Sequence, residues 1–109
     1  VYKRQESERT GNLPPVVDSD DILRNPAGVL AALCDALGLS WEPAMLSWKK
    51  GPHPEDGVWG THWYDKVNAS TGFGSNPAPL PDLDGAYAEV VEQCLEDYLA
   101  LKRHAITAN

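Results

Sequence analysis

Long apolar runs are missing from these 109 residues: none approaches the roughly 20 in succession that a membrane helix needs. A basic segment leading into an apolar stretch is missing too, so no secretory signal is read and a cytoplasmic location is expected. Basic side chains are few, 9 against 16 acidic, for a net charge of −7. Generic nucleic-acid binding needs Lys and Arg to replace counterions along a phosphate chain, so that class is excluded, whereas a single small anion held locally is not. The two cysteines, Cys34 and Cys94, have no second Cys or His at metal-ligand spacing, and the three histidines are scattered, so no metal site is expected. Both thiols fall in the apolar stripes of helices and are read as buried and reduced. No Gly-x-x-x-x-Gly-Lys-Ser/Thr run occurs, so the chain has no phosphate-cradling loop of that kind. There is no internal repeat.

What is present suits a globular protein: 42% hydrophobic and 23% charged residues, enough for one modest core. Val1-Tyr2-Lys3-Arg4-Gln5 matches the translated end of a transposase adapter used in shotgun sequencing libraries. Residues 1–5 are therefore expected to be a sequencing scar, with the native N-terminal portion of the gene missing. Residues 6–13 are polar with Gly11 and Asn12 and read as a loop, 14–106 as the folded part, and 107–109 as a tail.

Within 14–106, Pro14 to Asp18 reads as one brief strand with nothing to pair with. Ser19 is expected to cap a short turn carrying Ile22 and Leu23. Asn25-Pro26 opens a helix through a capping side chain and a proline at its first position, and Val29, Leu30, Leu33, Cys34 and Leu37 give it one apolar face. Gly38 stops it, with Leu39 folding back. Further helices are expected near 43–48, 61–67 and 84–104, the last capped by Asp82 or Asp84, with Tyr87, Val90, Val91, Cys94, Leu95, Tyr98 and Leu101 as its stripe. The segment from Gly72 to Pro81 reads as irregular.

The densest chemistry lies in DGVWGTHWYDKVNASTGF, from Asp56 to Phe73. Trp59, Trp63 and Val67 share helical spacing; as a wall against a flat ligand the two tryptophans would join Tyr64 and His62, and as core they would simply pack. Ser70-Thr71-Gly72 places two hydroxyls beside a permissive glycine, which suits either an anion nest or a plain turn. His62 lies beside the aromatics, but no nucleophile is placed beside it, so no catalytic residue is assigned.

The order VVDSDDILRNPAGVLAALCDALGLSW, then EPAMLSW, GP, EDGVW, HWYDKV and STGF, closing on CLEDYLALKRH, resembles the C-terminal part of P-loop sulfotransferase-like proteins. It is similar to members found alone in bacteria and to ones fused to, or beside, branched-chain aminotransferase-like proteins. The resemblance covers about Pro14 to Ile106. It implies an α-rich fragment of an α/β P-loop NTPase-like fold, with about four helices and at most one orphan strand. It also implies a parent enzyme that moves a sulfuryl group from 3′-phosphoadenosine 5′-phosphosulfate to a small-molecule acceptor. On that reading Lys66, Ser70, Thr71 and Gly72 face the donor nucleotide, and Trp59, His62, Trp63 and Tyr64 wall the donor or acceptor. The family's phosphate loop and central catalytic group lie upstream, so this piece is expected to need the missing N-terminal part of its own domain and to be inactive alone. Two alternatives stay open: a stand-alone helical module that binds through its Trp-rich face, and a family member that keeps the fold without transferring anything.

Overall fold

The computed structural model describes residues 2–74, 79 and 81–108, with the backbone alone for 2–4 and 7. Residues 75–78 and 80 of the segment expected to be irregular lie outside the described residues. So do Val1 of the expected scar and Asn109 of the expected tail.

The polar N-terminal stretch is helical rather than looped as far as Thr10: α1 spans Tyr2–Thr10. Glu6 and Arg9 face each other one turn apart, with Arg9 Nη2 donating to Glu6 Oε1 at 2.6 Å, and the Thr10 hydroxyl donates to the Glu6 carbonyl. Such i,i+3 pairs add only a few tenths of a kcal/mol, and they are local. Gly11, at φ 71°, ends the helix.

The expected strand forms a single parallel bridge, Val16 to Ala105, with the Ile106 N–H donating to the Val16 carbonyl at 2.9 Å. No longer strand is present among the described residues. α2 covers Ser19–Arg24, and its cap is Asp18, not Ser19: the Asp18 carboxylate accepts from the Asp20 N–H at 2.8 Å. Aspartate one residue earlier wins because its ψ is still extended and its oxygen reaches the first free amide of the helix.

α3, Pro26–Leu37, follows the sequence closely. Asn25 accepts from the Gly28 N–H at 3.1 Å, Pro26 sits at the first turn, and Gly38 adopts φ 68°. The Leu39 N–H reaches the Cys34 carbonyl at 2.8 Å and the Gly38 N–H reaches that of Asp35 at 3.0 Å, the two bonds of a Schellman ending. Two 3₁₀ turns follow, Pro43–Leu46 and Pro54–Asp56. The single helix expected at 61–67 is instead two short ones, α4 at Gly60–Trp63 and α5 at Asp65–Ala69, broken where Tyr64 departs to φ −102°, ψ 15°. α6 runs Gly85–Lys102. Asp84 stands at its N-cap without a side-chain hydrogen bond.

Six α-helices and no strand among the described residues make the chain helix-rich. The core is slight. Val16, Val29 at 2% exposure and Cys34 are the buried hydrophobic residues, and Cys34 Sγ lies 3.8 Å from Met45 Sδ. Cys94, expected to be buried, is exposed, and most of the α6 stripe around it faces outward. The accessible surface is 8891 Å², whereas a compact monomer of 11.9 kDa exposes about 5,900 Å². The radius of gyration is 16.7 Å against about 13 Å for a compact domain of this length.

Candidate functional site

The site region is an excursion of the chain with a closed neck. Ser47 and Gly72 form an antiparallel bridge, the Trp48 N–H donates to the Thr71 carbonyl at 3.1 Å, and the Gly51 N–H to that of Asn68 at 2.9 Å. Trp48 adds a side-chain tie: its indole N–H donates to Ser70 Oγ at 3.0 Å, and Ser70 in turn donates to the Val67 carbonyl at 2.6 Å. The Trp48 ring meets Phe73 edge-on, centroids 5.3 Å apart at 86°. Gly72 passes close to the neighbouring chain: a Cβ there would stand 3.1 Å from the Leu46 carbonyl oxygen, a tight contact. Residues 52–67 therefore leave and return through one fixed gate.

Inside the excursion the backbone is held by short-range chemistry. The His53 N–H donates to Asp56 Oδ2 at 2.9 Å, and Gly57 turns the chain at φ 68°. Gly60 is buried, with no room for a side chain: a Cβ would fall 2.8 Å from Asp56 Cβ. This packing sets α4, which presents Trp59 and Trp63 as a near-parallel pair, centroids 5.5 Å apart at 21°. They are 63% and 73% exposed. His62 tilts against Trp59 at 6.3 Å and 57°. Tyr64 lies beside Gly60, and no ring contact joins it to the indoles among the described residues. Three of the four residues expected to form an aromatic wall thus come together, and Tyr64 does not join them. A cavity of about 500 Å³ on this excursion is lined by His53, Asp56, Val58, Thr61 and Asn68 among others, and not by the tryptophans.

Of the four residues expected at the donor, Ser70 is engaged as donor and acceptor within the neck, and Gly72 carries the bridge. The Lys66 ammonium and the Thr71 hydroxyl are exposed and carry no hydrogen bond or ion pair among the described residues. The Ser70 hydroxyl is committed to holding Trp48.

A second cluster was not legible as one. Asp18, 8% exposed at its side chain, accepts from Tyr98 Oη at 2.7 Å and pairs with Lys102 Nζ at 2.9 Å, and Lys102 also contacts Asp21. The Lys102 ammonium first, then the Tyr98 hydroxyl, hold the Asp18 carboxyl down to about 2 from its usual 3.8. Lys102 is raised by the same acids, Asp21 foremost, and Tyr98 is raised by Asp18. The sequence signal was Tyr98 and Lys102 at i,i+4 on one helix. Their acidic partners lie some 80 positions away, so the pairing is set by the fold alone.

Among the described residues no group of three or more His, Cys, Asp or Glu side chains is arranged to hold a metal, and no helix is long and apolar enough to cross a membrane. The neck, the aromatic pair and the Asp18 clamp fall within a sulfotransferase domain, whose family model matches residues 4–105. The chain belongs to that family. It is similar to branched-chain-amino-acid aminotransferase-like proteins 2 and 1 of Arabidopsis thaliana, 39% and 41% identical over 95 residues. Each match takes in 86% of this chain but 17% of the relative, so the chain spans about a sixth of the length of the curated proteins it matches. No solved structure matches it.

Proposed function

We propose that this chain is the C-terminal part of a sulfotransferase-like enzyme that moves a sulfuryl group from 3′-phosphoadenosine 5′-phosphosulfate to a small-molecule acceptor, and that it is inactive alone. The observation that carries the reading is the family match across 4–105 in a sequence with no glycine-lysine phosphate loop. The donor brings an activated sulfuryl group and leaves as the 3′,5′-bisphosphate; the protein has to meet its negative charge with cations and amides. From this chain Lys66 on α5 and Thr71 face the donor phosphate, Gly72 and Ser70 hold the turn that carries Thr71, and Trp59, His62 and Trp63 flank a flat group. No catalytic residue is assigned to these 109 residues.

A second reading has one specific observation behind it, the stacked and exposed Trp59 and Trp63, which would serve a stand-alone helical binding module equally well. Calorimetric titration of 3′-phosphoadenosine 5′-phosphate into this chain and into the full-length protein separates the two. Binding by the full-length protein alone supports the enzyme fragment. Binding by neither sinks the sulfuryl-transfer reading and leaves the module or a non-catalytic relative.

A further inference from the structure

The excursion carries a cavity that the reading above leaves unused. It holds about 500 Å³, within the range of small-ligand pockets, and every residue lining it lies between Pro52 and Asn68. Neither tryptophan lines it, so it is separate from the stacked Trp59–Trp63 pair. Its walls are apolar where Val58 and the prolines flanking His53 stand, and its polar groups are mostly acceptors. Asp56, half-buried, gives Oδ2 to the His53 N–H at 2.9 Å. Among the described residues no Lys or Arg pairs with this carboxylate, and its other oxygen takes no hydrogen bond. Thr61 spends its hydroxyl proton on the Val58 carbonyl at 3.1 Å, so what it has left to offer is lone pairs. Asn68, also half-buried, is fixed through its backbone: its N–H donates to the Tyr64 carbonyl at 2.7 Å, and its own carbonyl accepts from the Gly51 N–H at 2.9 Å.

We propose that this cavity binds a small organic ammonium, a protonated primary amine on an apolar body. An ammonium brings three N–H donors and no acceptor, the complement of the Asp56 carboxylate, the Thr61 lone pairs and the Asn68 side-chain carbonyl. Its charge answers the unpaired Asp56 carboxylate, through a charge-assisted hydrogen bond about twice as strong as a neutral one. The apolar walls at Val58 and the two prolines take its carbon body. An anion is excluded by the same lining, which contains no Lys or Arg on a chain of net charge −7. A metal ion is a poor rival, because among the described residues no three His, Cys, Asp or Glu side chains converge to hold one. The site does not depend on the enzyme reading, since the excursion builds it from its own residues and closes at its own neck. Only its role rests on that reading: in a sulfotransferase the ammonium is the anchoring group of the acceptor. A protonated amine has no lone pair to attack with, so the nucleophile is another group of the same molecule.

The probe is phenethylamine, titrated calorimetrically into the full-length protein at about pH 8, where an alkylamine is still charged. Phenethyl alcohol and hydrocinnamate serve as its neutral and anionic counterparts. The expected result is an amine that binds about tenfold more tightly than the alcohol, with the carboxylate weakest. Asp56→Asn keeps an oxygen for the His53 N–H and removes the charge, so it is expected to bring the amine to the affinity of the alcohol at an unchanged Tm. Val58→Lys, at a side chain 79% exposed, sets a fixed cation at the cavity and is expected to weaken the amine to a similar extent. It decides the matter should Asp56→Asn lower the Tm. An amine that fails to bind, or binds no more tightly than the alcohol, overturns the inference. So does amine binding that both variants leave unchanged, which puts the ammonium elsewhere, as over the exposed tryptophans. Titration of 3′-phosphoadenosine 5′-phosphate into the same samples keeps the two readings apart. Amine binding without bisphosphate binding leaves this site and removes the enzyme; bisphosphate binding without amine binding removes this site alone.

Discussion

Asp18 joins three parts of the chain through one carboxylate. It ends the bridged segment, caps α2 through one oxygen, and receives Tyr98 and Lys102 of α6 on the other. Its carboxyl sits at about 2, below the usual 3.8, so the folded state binds its proton less readily than the unfolded chain does. The stabilisation this gives is complete above about pH 4 and is lost as the pH falls through about 2. Asp18→Asn is expected to cost about 1–2 kcal/mol at pH 7, and the gap between variant and parent should close on acidification toward pH 2. Urea unfolding across that range checks it; a gap that stays constant with pH would mean the charge of Asp18 is idle. Gly38 shows the opposite kind of dependence, on backbone alone. A Cβ there meets nothing within 4 Å, yet φ is 68°, so Gly38→Ala should cost about 1 kcal/mol and Gly38→Asn distinctly less, as thermal unfolding would read.

At the scale of elements, what the sequence reveals follows the range of the interactions. α3 was legible from end to end because Asn25, Pro26, Gly38 and Leu39 act on their own helix within a few residues. α1 was missed because its polar residues gave no apolar period, and the Glu6–Arg9 and Thr10 contacts that accompany the helix leave no such pattern. The break at Tyr64 was hidden by spacing that suits one continuous helix. For the candidate site, the proximity of Trp59, His62 and Trp63 was readable from their offsets, but the neck was not. Trp48 and Ser70 are 22 residues apart, and that bond turns a proposed ligand hydroxyl into a structural one. Trp48→Phe and Ser70→Ala should therefore each cost about 1 kcal/mol, and the double variant little more than either. A double-mutant cycle on stability checks this, and fully additive costs would show that the two side chains do not depend on each other.

For the whole molecule the deciding quantity is the mismatch between surface and core. Among the described residues three hydrophobic side chains are buried, while α6 and the excursion leave Val91, Leu95, Trp59 and Trp63 in water. Each such side chain, about half or more exposed, forgoes roughly half or more of the about 1.5–3 kcal/mol available on full burial, so little remains to offset the entropy of ordering the chain. Helices with local caps, such as α3, survive this better than the long-range joints at Asp18 and Trp48, because a cap needs only its own helix. The 109-residue chain in isolation should therefore unfold in urea over a broad range. Far-UV dichroism, which follows the helices, should persist to higher denaturant than the near-UV signal of the tryptophans. It should also bind an apolar dye before any denaturant is added. The full-length protein should show the two signals falling together and should lose the dye. Coincident, steep transitions in the short chain would mean that its small core is sufficient. The exposed stripe of α6 would then be a tolerated surface rather than half of a domain core.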